Sequence, residues 1–160
     1  MDLRVDFYIL DSEAPNGRLQ LACKLAEKAY LAEQSVLIWH TDPQELRSLD
    51  ELLWVFRDGS FVPHEMIGGA GALAAPTESP VTLSAGVAPP GPVDVLINLA
   101  PDLPPCLAQS RRVIEIIDGE EKIRGFLPVL TEMLGGGLVT LEKVEVIEYR
   151  AGSGANPESA

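Results

Sequence analysis

Three short runs of this chain are apolar at most or all of their positions: Val36-Leu37-Ile38-Trp39, Val93 to Leu99, and Val113-Ile114-Glu115-Ile116-Ile117. A strand sends successive side chains to opposite faces, so runs of this kind must be covered on both faces. A fourth run, Arg4 to Leu10, becomes fully apolar toward its end. Between these runs lie stretches of helical period. Arg18 to Glu33 carries Leu21, Leu25, Ala29 and Leu31 or Ala32 at helical spacing. Asp42-Pro43-Gln44-Glu45 opens a second helix: Asp42 is a capping residue, Pro43 suits the first helical position and Glu45 completes a capping-box-like arrangement. That helix turns Leu46, Leu49, Leu52 and Leu53 inward and stops before Asp58-Gly59. Strands alternating with helices imply parallel pairing. The expected fold is a three-layer α/β/α domain around a central, mostly parallel sheet, Rossmann-like in layout.

The rest of the pattern is weaker. Residues 67–92 are rich in Gly, Ala and Pro and read as linker-like, with a brief strand at Pro80-Val81-Thr82-Leu83-Ser84. A helix is expected from Glu120 to Leu134, disturbed at Pro128 and ended by Gly135-Gly136-Gly137. Leu138 to Tyr149 alternates as a last strand. One domain over residues 1–150 accounts for the pattern, and the small, polar residues 151–160 are expected to form a disordered tail.

Such a layout raises the question of a nucleotide site, but the signatures are missing. No G-x-G-x-x-G follows the first strand, no G-x-x-x-x-G-K-[ST] occurs, and Gly68 to Gly71 has no lysine. The expectation is a fold without a phosphate loop and without a cofactor. The two cysteines, Cys23 and Cys106, and the two histidines, His40 and His64, do not cluster as metal ligands do. No nucleophile–base–orienter set is present, and the expectation is no intrinsic catalysis. An alternative keeps an enzyme or ligand site at the strand ends near His40, with Asp42 close by. The net charge of −12 argues against strong direct binding to nucleic acid, which needs a basic face. No apolar run approaches the roughly 20 residues that span a bilayer, and no signal-peptide core opens the chain. A cytoplasmic location is expected, with no membrane partner.

One segment asks for a partner. Leu49 to His64 joins a helix end to a loop holding Trp54, Phe61 and Pro63. Large aromatics beside a loop proline are costly to leave in water, and Trp and Phe bury much area with few rotors. Trp54 has a second reading, closure of the core beneath the loop. The blocks Leu49-Asp50-Glu51-Leu52-Leu53-Trp54 and Ser60-Phe61-Val62-Pro63-His64 resemble the central motif of the chi subunit of bacterial DNA polymerase III. The strands Val5 to Leu10, Asp94 to Leu99 and Glu115 to Asp118, and the helix Ala22 to Tyr30, resemble that family too.

The resemblance implies an accessory subunit of the replicative polymerase. It implies that the psi subunit of the clamp loader is held at Trp54, Phe61, Val62, Pro63 and His64, with Val62 and His64 as loop framework. It further implies a site for the acidic C-terminal tail of single-stranded DNA-binding protein, for which Lys122, Arg124 and Phe126 are the candidates. There the chain departs from the family. The family's last helix carries several basic residues with a Tyr, whereas Glu121 to Glu132 keeps only Lys122 and Arg124 and has no Tyr. A chi-like subunit that has lost tail binding therefore stands beside one that retains it.

Overall fold

The computed structural model describes residues 3–10, 16–59, 61–67, 79–89, 91–117, 123–124, 127–128, 132 and 137–144. Their chain order is β1 (Leu3–Leu10), α1 (Gly17–Leu31), β2 (Val36–His40), α2 (Pro43–Val55), β3 (His64–Ile67), β4 (Val81–Ala85), β5 (Val93–Asn98), a 3₁₀ turn (Leu107–Gln109), β6 (Ser110–Ile117) and β7 (Gly137–Val144). The strands form one seven-stranded sheet in the order β3-β4-β2-β5-β6-β1-β7. Every pairing in it is parallel.

The order explains the layers. The steps β1→β2→β3 run one way along the sheet and the later steps β4→β5→β6→β7 run back. Right-handed crossovers then place the two sets of connections on opposite faces. α1 and α2 accordingly share one face, over Val36, Ile38, Val81, Leu83, Val95, Ile97, Ile114 and Ile116. The other face carries Val5, Phe7, Leu37, Trp39, Leu96, Val113 and Ile117, packed against Leu103, Cys106, Leu107 and Ile123. Ile123, Arg124, Leu127, Pro128 and Glu132 are helical, in line with the expected third helix.

α1 buries Leu19, Ala22, Cys23, Ala26 and Ala29, one stripe of period 3.6, and leaves Leu31 exposed. The inward stripe therefore includes Leu19 and Ala22 and does not reach Leu31. The helix ends where Glu33 takes the left-handed conformation (φ 60°) and the Gln34 N–H returns to the Ala29 carbonyl at 3.0 Å. Burial pushes the Cys23 thiol up to about 12, which leaves it an inert packing group.

The brief strand expected at Pro80 to Ser84 is β4; it lies between β3 and β2, and Val81 to Ser84 are buried. One segment differs from the sequence expectation: His64, expected as loop framework, opens the four-residue strand β3. The Gly/Ala-rich stretch 68–78, the greater part of the expected helix 120–134, Lys122, Phe126 and the tail 151–160 lie outside the described residues.

Candidate partner-binding surface

α2 begins as its residues dictate. Asp42 accepts a hydrogen bond from the Gln44 N–H at 2.9 Å, with Pro43 at the first helical position. Leu46, Leu49 and Leu53 are buried, and Leu52 packs at the edge of the same cluster. Inward leucines at 46, 49 and 53 force Trp54 and Val55 outward on the last turn. Trp54 is 50% exposed and Val55 68%. The turn that follows has Gly59 at φ 76°, a conformation that favours glycine.

The chain then returns beside Trp54. The Phe61 ring is 62% exposed and its centroid lies 5.6 Å from that of Trp54. The His64 ring lies at 4.5 Å from Trp54. Val62 is fully buried and joins the α-helical face of the core, while Pro63 is half-buried. His64 is buried beneath Trp54. Its Nδ1 donates to the Val62 carbonyl at 2.7 Å, and its Nε2 lies 2.9 Å from an Asp50 carboxylate oxygen. The predicted residues thus sort into two layers. Trp54 and Phe61 face solvent with Pro63 at their margin, and Val62 and His64 lie beneath.

Two exposed residues were missed. Val55 was hidden in the sequence by its place in an apolar helix end. Met66, 41% exposed, lies on β3 two residues beyond His64 and so on the same side of the sheet. Trp54, Val55, Phe61 and Met66 are large apolar side chains exposed where α2 meets the edge strand β3. Unpartnered clusters of this kind mark interaction surfaces.

Of the second predicted site, Arg124 is described and exposed. Ile123 beside it packs into the core of the opposite face.

The strand ends near His40 hold a different kind of chemistry. His40 is buried, and its Nδ1 accepts from the Thr41 and Asp42 N–H groups at 2.8 and 3.0 Å. Desolvation and the positive field of Arg18 outweigh Glu45 and Asp42 and lower its pKa, which favours the neutral acceptor ring. The imidazole is a fastener for the β2–α2 turn. His40→Ala is expected to cost about 1–2 kcal/mol of stability, read by urea denaturation near neutral pH. No loss there would remove the fastening role.

Sequence reasoning also missed Asn98 and Glu115 on the face opposite the helices. Asn98 Nδ2 donates to both Glu115 carboxyl oxygens, at 3.0 and 2.9 Å, and to the Asp102 carbonyl at 3.0 Å. Its Oδ1 accepts from the Ala100 N–H at 3.0 Å. Glu115 is 1% exposed, and desolvation pushes its carboxyl up to about 8 against the smaller pull of Asn98 and Arg18. Within apolar runs, single polar letters gave no sign of pairing across β5 and β6.

Among the described residues no group of His, Cys, Asp and Glu is arranged to hold a metal ion, and no helix is long and apolar enough to cross a membrane.

The comparisons with known proteins agree with the sequence. A family model described as DNA polymerase III chi subunit, HolC, matches residues 3–125. The DNA polymerase III subunit chi of Pseudomonas aeruginosa is 38% identical over 121 residues, covering 76% of this chain and 81% of that protein. The subunit chi of Escherichia coli is 36% identical over 76 residues, covering 45% of this chain and 52% of that protein. The match spans β1 to β6 and takes in the whole Trp54 surface, and the chain belongs to the chi-subunit family of DNA polymerase III.

Proposed function

We propose that the chain is a non-catalytic accessory subunit of the replicative DNA polymerase, acting in the cytoplasm. It holds the psi subunit of the clamp loader at the Trp54 surface and takes the acidic tail of single-stranded DNA-binding protein at the segment of Lys122, Arg124 and Phe126. The observation that carries this reading is the half-exposed Trp54 against the exposed Phe61, 5.6 Å between centroids, on a helix whose buried leucines keep it pointed outward. Rigid aromatics in such positions dominate binding energies. The charge of −12 supports work through protein partners and not through the phosphate backbone. The exposed guanidinium of Arg124 is a suitable counter-charge for an acidic tail.

The test is calorimetric titration of the purified chain with the psi subunit, and separately with a synthetic peptide of the tail. Trp54→Ala is expected to weaken psi binding by about 2 kcal/mol, roughly thirtyfold, with the melting temperature almost unchanged. Equal affinity of variant and wild type would move the surface elsewhere. A wild type that binds no tail peptide would leave only the psi half of the reading.

A further inference from the structure

The apolar surface at Trp54 has an acidic margin. Asp50 and Glu51 stand four and three residues before Trp54 on α2, so both flank the indole on the helix surface. Asp58 follows in the turn beyond the helix. The Asp50 side chain is 38% exposed, and Glu51 and Asp58 are exposed. The cations nearest in sequence do not neutralise them. Arg57 is paired with Glu27 on α1 at 2.7 Å. Arg47, two turns before Trp54 on the same stripe, makes no ion pair among the described residues.

A second observation marks Asp50 as a cation acceptor. One of its carboxylate oxygens lies 2.9 Å from Nε2 of the buried His64 ring, and that nitrogen has no hydrogen-bond partner. The Val62 carbonyl only accepts, so the proton of the neutral ring sits on Nδ1 and Nε2 presents a lone pair. Two acceptors thus face each other with no donor between them. Such a contact is unfavourable where one side is shielded from water, and a positive charge brought to the outer side of the carboxylate relieves it.

We infer that Asp50 and Glu51 form a seat for a cationic side chain beside Trp54, and that the partner which covers Trp54 and Phe61 fills it with an arginine or a lysine. This rests on the proposed role of the Trp54 surface and adds the charge its partner must carry there. An arginine fits best, because its planar fork donates to a carboxylate while its face stacks on an indole. The acidic margin also speeds encounter with a basic segment and repels an acidic one. The Trp54 surface is thereby closed to an acidic tail, which needs a site of its own.

Triarginine and triglutamate are the probes, read by fluorine NMR of the full chain carrying 5-fluorotryptophan. The chain has two tryptophans, Trp39 in the core and Trp54 at the surface. Triarginine is expected to move the Trp54 resonance and triglutamate to leave it in place, with Trp39 unmoved by either. In Asp50→Asn/Glu51→Gln, which keeps the shapes and removes the charges, triarginine binds about three- to tenfold more weakly. Glu51→Gln alone leaves the His64 contact in place and shows part of the same loss. With the purified psi subunit, the double substitution is expected to lower the association rate constant about tenfold at low salt and to flatten its salt dependence. Trp54→Ala acts instead mainly on dissociation.

A Trp54 resonance that triarginine does not move in the wild type, or moves equally in the double variant, overturns the proposal. So does an association rate with psi that neither salt nor the double substitution changes. A wild type that does not bind psi fails the functional reading instead, and the triarginine titration still decides whether Asp50 and Glu51 seat a cation.

Discussion

Raising the pH from about 5 to 8 is expected to weaken the fold steadily, and Glu115→Gln is expected to flatten that slope. Glu115 is 1% exposed between β5 and β6, and burial pushes its carboxyl up to about 8 from an ordinary 4.5. The unfolded chain loses this proton near 4.5, whereas the folded chain keeps it to about 8. Between the two values the folded state binds one more proton, so stability falls as pH rises, by about 1.4 kcal/mol per pH unit. The contribution is fully present below the lower value. Across the whole window the loss approaches about 5 kcal/mol, large against a typical total of 5–15 kcal/mol.

Glutamine has the same shape and never ionises. Its oxygen accepts from Asn98 Nδ2, but its amide hydrogens then face a donor, because Asn98 is held in place by Ala100 and Asp102. Such unsatisfied donors cost about 1–3 kcal/mol. The curves of stability against pH should therefore cross: wild type more stable below about pH 5, the variant more stable above about pH 7. Urea denaturation at pH 5, 6, 7 and 8 for both proteins checks this. Parallel curves would mean that the Glu115 proton is not linked to folding.

Asp6 is expected to act with the opposite sign. Its carboxylate is fully buried on β1 and accepts from Arg4 Nε at 3.0 Å, from Arg112 Nε on β6 and from Thr140 Oγ1 on β7. Desolvation alone would raise its pKa, but the hydrogen bonds from Thr140, Arg4 and Arg112 and the Arg112 charge outweigh it and hold the carboxyl below its ordinary 3.8. A lowered carboxyl contributes stability that is present above the unfolded value and is lost as the pH falls from there through the lower, folded value. The acid limb of the stability curve therefore carries Asp6 and the alkaline limb carries Glu115.

Asp6→Asn is isosteric but removes the charge and, in either orientation, sets its NH2 group against at least one of the three donors. The expected cost is about 3 kcal/mol near neutral pH, at the lower end for a broken buried ion pair because both guanidinium groups reach solvent. Asp6 links β1 to both of its neighbours, so the edge strand β7 should loosen first. Amide exchange over Gly137–Val144 is expected to accelerate more than exchange over Val36–His40. Uniform acceleration across both strands would show that Asp6 contributes to global stability only.

The balance between the sequence and the tertiary structure follows from what each can encode. Predominantly apolar runs at 36–39, 93–99 and 113–117 required strands covered on both faces, and Asp42-Pro43 marked the start of α2 within one residue. These are local signals, set by backbone geometry and side-chain period. The leucines at 46, 49 and 53 likewise marked the inward face of α2, though they left Trp54 open between exposure and core closure, and the motif from Leu49 to His64 carried the family.

Strand order was not legible, because parallel neighbours come from distant parts of the chain: β6 pairs with β1 across more than a hundred residues, Val113 beside Val5. The place of β4 at the heart of one half of the sheet followed from that order and not from its own short run. Polar residues within apolar runs were the other blind spot. Asp6, Asn98 and Glu115 read as isolated polar residues in three separate strands. Only the packed sheet brings Asn98 to Glu115, and Asp6 to Arg112 and Thr140, because a buried polar group is stable only where a distant partner completes its hydrogen bonds. The Trp54 surface divides the same way: its aromatics were written in the sequence, while their exposure and the His64 ring beneath Trp54 were settled only by the fold of β3 back against α2.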